Sequence, residues 1–274
     1  MQIIKLWRLL YKTVFAVIIL LIYFLTAFCL LIFPINKYKR KRALGGLYGF
    51  LSAILIRLIG VKVNLINNDN YSKDKTWYIM SNHVSFLDIL ILITKFKTVF
   101  ITSLEMKKRF LLGQICIMAG AVFVDRRKIT TLKDEIPEIS EALKNNVNVC
   151  LFPESTCANG VELMPFKAAL MSAVSGTPAE VLPIVVMYRE INNRPFAPDD
   201  FQEIGYFGGM KFASQFIKLL TLKSLEADIE ILVPFAPENL DRKEIRDKVF
   251  ERISARYYCY VDDIKGKQPG FVKS

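Results

Sequence analysis

The sequence predicts an α/β fold, a mixed and largely parallel sheet flanked by helices, behind an N-terminal hydrophobic helical membrane anchor. Three observations carry this expectation. From residue 61 onward, short β-rich runs alternate with helical runs of about ten residues, the pattern of βαβ units. Ahead of them lies an uncharged apolar stretch at residues 14–33. The chain as a whole is 53% hydrophobic, more than a typical soluble domain carries.

Residues 14–33, closed by Pro34, are long enough to cross a bilayer core, which takes about 20 helical residues. Lys5, Arg8 and Lys12 precede the run, and Lys37, Lys39, Arg40, Lys41 and Arg42 follow it. That excess places the C-terminal side toward the cytoplasm (the inner membrane, if the chain is bacterial) and suits anionic headgroups. A cleaved signal peptide is the competing reading, but no A-x-A-like site follows. Residues 43–60 are apolar again but contain Gly45, Gly46, Gly49 and Arg57, which reads as an interfacial or re-entrant helix. Residues 1–60 are therefore expected to be the anchor and 61–274 the second unit. Within it, strands are expected at 61–66, 76–80, 99–102, 121–124, 147–152, 181–187 and 229–233. Helices are expected near 86–95, 106–118, 132–145, 166–175 and 242–256.

Composition narrows the partners. A net charge of +11 favours anionic lipid surfaces, anionic substrates or nucleic acid. No aromatic RNA-binding pattern or zinc-finger spacing supports nucleic acid. The five cysteines are scattered, with no C-x-x-C pair, and there is one histidine. A disulfide framework, a cysteine-based metal site and a multi-histidine metal centre are all excluded as expectations.

Three runs carry residues suited to chemistry. In Asn82-His83-Val84-Ser85-Phe86-Leu87-Asp88, the chain's one histidine follows a strand at a strand-to-helix turn. Imidazole can take a proton from a hydroxyl, and a carboxylate can fix its tautomer. On one continuous helix His83 and Asp88 would point about 140° apart; with His83 in the turn they can meet. Ser85-x-x-Asp88 also has the form of a helix capping box, which explains both residues without catalysis. The second run, Gly120 to Arg126, ends a strand in Arg126-Arg127-Lys128, where guanidinium groups could fork a phosphate; a solvated charged loop is the plainer reading. The third, Phe152-Pro153-Glu154-Ser155-Thr156, delivers a carboxylate and two hydroxyls into a turn, although such residues dominate ordinary turns as well.

Taken in order, the three runs resemble the sequence blocks of the glycerolipid acyltransferase family, which includes the 1-acylglycerol-phosphate acyltransferases. N-H-x-S-x-x-D matches residues 82–88, G-x-x-F-x-x-R matches Gly120 to Arg126, and F-P-E-G-T matches 152–156. A hydrophobic strand around a proline matches Leu182-Pro183-Ile184-Val185. The resemblance covers about residues 77–187. It implies that His83 is the general base and Asp88 its orienter, with Asn82, Ser85, Arg126, Glu154, Ser155, Thr156 and Lys167 binding substrate. It implies no cofactor beyond a co-substrate, acyl-CoA or acyl-carrier protein, and no metal. The partners implied are the bilayer and a lysophospholipid acceptor, most simply 1-acylglycerol-3-phosphate. A serine-nucleophile hydrolase would want a G-x-S-x-G elbow, which is absent. The chain departs from the family at Ser155, where glycine is usual, at Cys157, where arginine is common, and at residues 102–106, which lack the usual lysine. Those departures leave open another lysophospholipid, a lyso-aminolipid, or a non-catalytic lipid-binding role.

Overall fold

Eight strands form one sheet in the computed structural model, which describes residues 2–125 and 132–266. The strands are β1 (Val61–Ile66), β2 (Trp77–Ser81), β3 (Val99–Ser103), β4 (Val122–Val124), β5 (Val149–Leu151), β6 (Glu180–Ile191), β7 (Arg194–Pro195) and β8 (Leu225–Ile231). Their order is β1-β8-β6-β2-β5-β3-β4, with the short β7 paired to β6. β6, β2, β5, β3 and β4 run parallel, and β8 pairs antiparallel with β6 and parallel with β1. The sheet is therefore mixed and largely parallel, as the sequence predicts. Each residue of β2 is buried, in keeping with an interior strand covered on both faces.

The helices are α1 (Gln2–Ile32), α2 (Lys37–Ile59), α3 (Phe86–Phe96), α4 (Leu104–Lys107), α5 (Leu112–Met118), α6 (Leu132–Lys144), α7 (Phe201–Ile204), α8 (Phe212–Thr221) and α9 (Arg242–Gly266). Three expectations need correction. The helix expected at 106–118 is split into α4 and α5. Leu111 lies at φ 65, and a Cβ on Gly113 would stand 2.2 Å from the Lys107 carbonyl oxygen. The helix expected at 166–175 is a loop with one 3-10 turn, Met171–Val174. Its start is held extended by the Lys167 N–H donating to the Pro153 carbonyl at 3.0 Å. The helix expected at 43–60 begins earlier, because the basic run after residue 36 forms the first turns of α2, capped by the Asn36 side chain, which accepts from Tyr38 N and Lys39 N.

Glycines explain how α2 docks. A Cβ on Gly49 would lie 2.8 Å from the Ile93 carbonyl oxygen, and one on Gly45 would lie 3.1 Å from that of Lys97. Glycine at these positions lets α2 lie directly on the backbone of α3. α1 packs on α2 and α8. The Lys12 ammonium is buried and donates to the carbonyls of Ile59 (2.5 Å) and Leu222 (2.8 Å). These close the C-terminal ends of α2 and α8, where a cation satisfies unpaired carbonyls and the helix dipole. Farther along, the Tyr23 and Tyr48 hydroxyls donate to Ile115 and Met118 carbonyls of α5. The other face of α1 is apolar and exposed, including Trp7, Phe15, Leu25 and Phe28. By length and composition, Ile3–Ile32 and Lys37–Ile59 could each cross a membrane.

Candidate active site

Because β2, β5, β3 and β4 are parallel neighbours, the segments that leave their C-terminal ends gather at one edge of the sheet, the usual site position in such folds. β2 delivers residues 82–85, β5 delivers 152–158 and β4 delivers Asp125. Arg126, with Arg127 and Lys128, lies outside the described residues.

The turn after β2 brings His83 and Asp88 together. His83 Nδ1 stands 3.0 Å from Asp88 Oδ2, which also accepts the backbone N–H groups of Val84 and Ser85, each at 2.8 Å. The other carboxylate oxygen, Oδ1, accepts the Tyr188 hydroxyl at 2.5 Å. Ser85 is the N-cap of α3 and its side chain accepts from Leu87 N, completing a capping box with Asp88. The two readings of this motif coexist: one carboxylate closes the helix and orients the imidazole. With Nδ1 committed to Asp88, that nitrogen carries a proton, and in the neutral ring Nε2 offers its lone pair. The ring stacks on Phe152, with centroids 3.9 Å apart and planes within 12°, and its side chain is 13% exposed.

Glu154 lies beneath the turn, 2% exposed. Its Oε1 accepts the His83 N–H and its Oε2 the Met164 N–H, both at 2.7 Å. The Ala158 N–H donates to the His83 carbonyl at 2.7 Å. Glu154 of the third block and Ala158, two residues beyond it, therefore grip the backbone of His83 from both sides. Burial pushes the Glu154 carboxyl up to about 7, partly opposed by those two N–H donors. Burial disfavours the His83 imidazolium, but hydrogen-bonded Cys157 and Asp88 outweigh it and raise its pKa to about 10. Burial, followed by the Asp88 charge, lifts the Tyr188 hydroxyl well above its usual range, so it remains a donor.

Asn82 and Ser85, expected to bind substrate, are buried with their polar atoms already used. Asn82 donates to the Val186 carbonyl and accepts its N–H, a two-bond clamp onto β6. The Ser85 hydroxyl donates to the Ile204 carbonyl at 2.5 Å. Both are struts of the turn. Glu154, expected at the acceptor's glycerol, is likewise spent on backbone. Ser155 occupies left-handed backbone at φ 61, which accounts physically for glycine at this position of the resembling block. Thr156 and Lys167 are exposed at the rim of the same loop. The sequence reading missed Tyr188, whose only signal is a tyrosine on an otherwise apolar buried strand, and the contact of Cys157 with His83.

Residues 62–187 match the family model described as Acyltransferase. The chain is 29% identical over 178 residues to the 1-acyl-sn-glycerol-3-phosphate acyltransferase of Neisseria gonorrhoeae, covering 65% of this chain and 68% of that one. It is 25% identical over 205 residues to the lyso-ornithine lipid O-acyltransferase of Rhizobium meliloti, covering 72% and 69%. Its fold is similar to the crystal structure of the 1-acyl-sn-glycerophosphate (LPA) acyltransferase of Thermotoga maritima, with TM-score 0.65 and 20% identity over 98% of this chain and 99% of that one. With the ordered blocks, these matches identify residues 62–187 as an Acyltransferase domain, and the chain is an acyltransferase.

Proposed function

We propose that the enzyme transfers a fatty acyl group from acyl-CoA or acyl-carrier protein to the hydroxyl of a lysophospholipid at a membrane surface, with 1-acylglycerol-3-phosphate as the leading acceptor. The carrying observation is the His83–Asp88 pair at 3.0 Å, in which the carboxylate fixes the tautomer so that the neutral ring takes a proton at Nε2. His83 deprotonates the acceptor hydroxyl, the oxygen attacks the thioester carbonyl, and the carrier thiol leaves with the proton. Thr156 and Lys167 stand at the rim to meet the headgroup, and Arg126 is assigned to its phosphate by resemblance alone. No metal or further cofactor has a part. Residues 1–60 anchor the protein through the apolar face of α1, and residues 61–274 carry the chemistry on the cytoplasmic side, where the acyl donors are.

A second acceptor is favoured by a specific observation. A thiol, Cys157, stands beside the histidine where the family block has a cation, and lyso-ornithine lipid acyltransferases are among the relatives. Both acceptors should therefore be offered to the detergent-purified protein with acyl-CoA. His83→Ala is expected to lower turnover by about 10²- to 10⁴-fold with whichever acceptor is used. A folded His83→Ala protein that keeps near-wild-type turnover ends this mechanism.

A further inference from the structure

The loop between α4 and α5 lifts an apolar tip into solvent. Phe110 is 91% exposed, more than any other large hydrophobic side chain among the described residues, and Leu111 beside it is exposed as well. Leu111 holds φ 65 and ψ −52, and the Leu112 N–H donates to the Phe110 carbonyl at 2.8 Å. That is a γ-turn of the rare, strained kind. The backbone on either side is fixed: the Arg109 N–H donates to the Met106 carbonyl at 3.1 Å, and the Arg109 carbonyl accepts the Gly113 N–H at 2.8 Å. Strain that holds Phe110 out in water brings no burial in return, and strain of this kind clusters where a function uses it.

The charges around the tip select its partner. Lys107, Lys108 and Arg109 lead into it, all exposed, and no acidic residue occurs between Glu105 and Asp125. Apolar side chains beside a run of cations match the boundary between anionic headgroups and acyl chains. Position agrees with charge. α5 packs against α1, whose Tyr23 hydroxyl donates to the Ile115 carbonyl, and the Ile115 N–H donates to the Leu111 carbonyl at 3.0 Å. The tip therefore stands beside the helix whose exposed apolar face is the proposed anchor. It also belongs to the catalytic edge of the sheet, because α4 follows the C-terminal end of β3. Arg109 Nη1 donates to the Tyr206 hydroxyl at 2.9 Å, and the Tyr206 N–H donates at 2.9 Å to the carbonyl of Val84, next to His83.

We propose that Phe110 and Leu111 insert into an anionic bilayer surface as a second contact, with Lys107, Lys108 and Arg109 on its headgroups. The proposal rests on the membrane-surface reading above and deepens it. α1 alone ties the chain to the bilayer but leaves it free to roll about the helix axis. A second contact at the catalytic edge removes that freedom and holds the His83 turn at the lipid surface. The acceptor hydroxyl then meets the imidazole while its acyl chain stays in the bilayer.

The test uses the full-length protein reconstituted in vesicles of phosphatidylcholine and phosphatidylglycerol, with Phe110→Trp placed in a Trp7→Phe background. Trp77, the other tryptophan, is buried and constant. The new indole should be quenched by brominated acyl chains and shielded from acrylamide, more strongly as the phosphatidylglycerol fraction rises. This readout needs no lysolipid, so it is separate from the acyl-transfer reading. Phe110→Ser should lower turnover on lysolipid in the vesicles by about tenfold and leave turnover in detergent micelles within about twofold. Phe110→Leu, which keeps the tip apolar, should retain most of the vesicle rate. Replacing Lys107 or Lys108 with Gln should cut the advantage of anionic over neutral vesicles by up to about fivefold. A protein that stays in the vesicles with its indole open to acrylamide and untouched by bromine overturns the second contact and leaves α1 as the anchor. So does Phe110→Ser with an unchanged ratio of vesicle to micelle turnover, or an indole shielded by a soluble acidic protein in place of lipid. A protein that never enters the vesicles overturns the membrane reading itself.

Discussion

The floor and the rim of the site are built on opposite terms. In the floor, Asp88 accepts four hydrogen bonds, Glu154 accepts two backbone N–H groups, and Asn82 and Ser85 are both tied to distant backbone. In the rim, Thr156 and Lys167 are exposed, Cys157 is half-buried, and Ser155 sits in left-handed backbone. Floor residues can hardly change without leaving a buried donor or acceptor unpaired, which costs about 1–3 kcal/mol each. The exposed side chains of Thr156 and Lys167 are under no such constraint. Under the proposed function, the floor sets the reaction and the rim the choice of lipid.

The sharpest way to break this contrast is Asp88→Asn. Asparagine keeps the shape but replaces one acceptor oxygen by a donor, against N–H groups that also donate. His83 loses its orienter, and turnover should fall by on the order of 10³- to 10⁴-fold. The helix cap should weaken as well, by about 1–2 kcal/mol in a denaturant titration. A fall in turnover below about tenfold in a folded protein denies Asp88 its orienting role.

The next test reads the floor's proton directly. His83 is the one histidine in the chain, so a histidine-labelled NMR titration reports it alone. The groups that face it are Asp88, Cys157 and, through its backbone, Glu154. Its pKa should lie near 10 in the wild type and fall toward the ordinary imidazole range in Cys157→Ala. The sign for stability follows. With the folded pKa above the unfolded one, this contribution is fully present below about 6.5 and is lost as pH rises through about 10. Cys157→Ala should therefore lose less stability than wild type between those limits, and equal slopes would separate the thiol from the imidazole.

Glu154→Gln probes how the rim loop holds the floor. An acid raised to about 7 keeps its proton in the folded state after the unfolded chain has released it. Wild-type stability should thus decline with rising pH between about 4.5 and 7, by about 3 kcal/mol. Glutamine has no such slope, but its NH₂ must face one of the two backbone N–H groups. A loss of about 2 kcal/mol at pH 5 is expected, along with reduced turnover as the His83 turn loosens. Unchanged pH dependence in Glu154→Gln denies that the carboxyl is raised.

Much of the floor was legible in the sequence because its contacts are local. His83, Ser85 and Asp88 lie within one strand-to-helix turn, where spacing alone allows them to meet, and the seven strands that declared themselves are apolar runs between breakers. What escaped depends on the sheet. Tyr188 reaches Asp88 across 100 residues of chain, because β6 lies beside β2, and no local pattern reports which strands are neighbours. The same holds for α8, an amphipathic helix whose apolar side is defined by α1. The helix expected at 166–175 failed for a related reason: its first residues bond the third-block loop, and that tertiary contact overrides helical spacing.

Ser155→Gly should have the smallest effect and the opposite sign. The residue holds φ 61, where a Cβ costs about 1–2 kcal/mol that glycine does not incur. Glycine loses part of this advantage through the extra freedom it has in the unfolded chain, about 0.5–1 kcal/mol. A net gain near 1 kcal/mol is expected, read as a shift in the denaturant midpoint with an unchanged slope. Ser155 has a further interaction within the structure, and the substitution also asks whether that interaction is worth more than the strain. If Ser155→Gly is less stable than wild type, the serine is held by bonding stronger than its backbone penalty, and this rim position belongs with the floor. If it is more stable but slower on one lysolipid than on another, the strain is retained for the acceptor, and the rim discriminates through its backbone as well as its side chains.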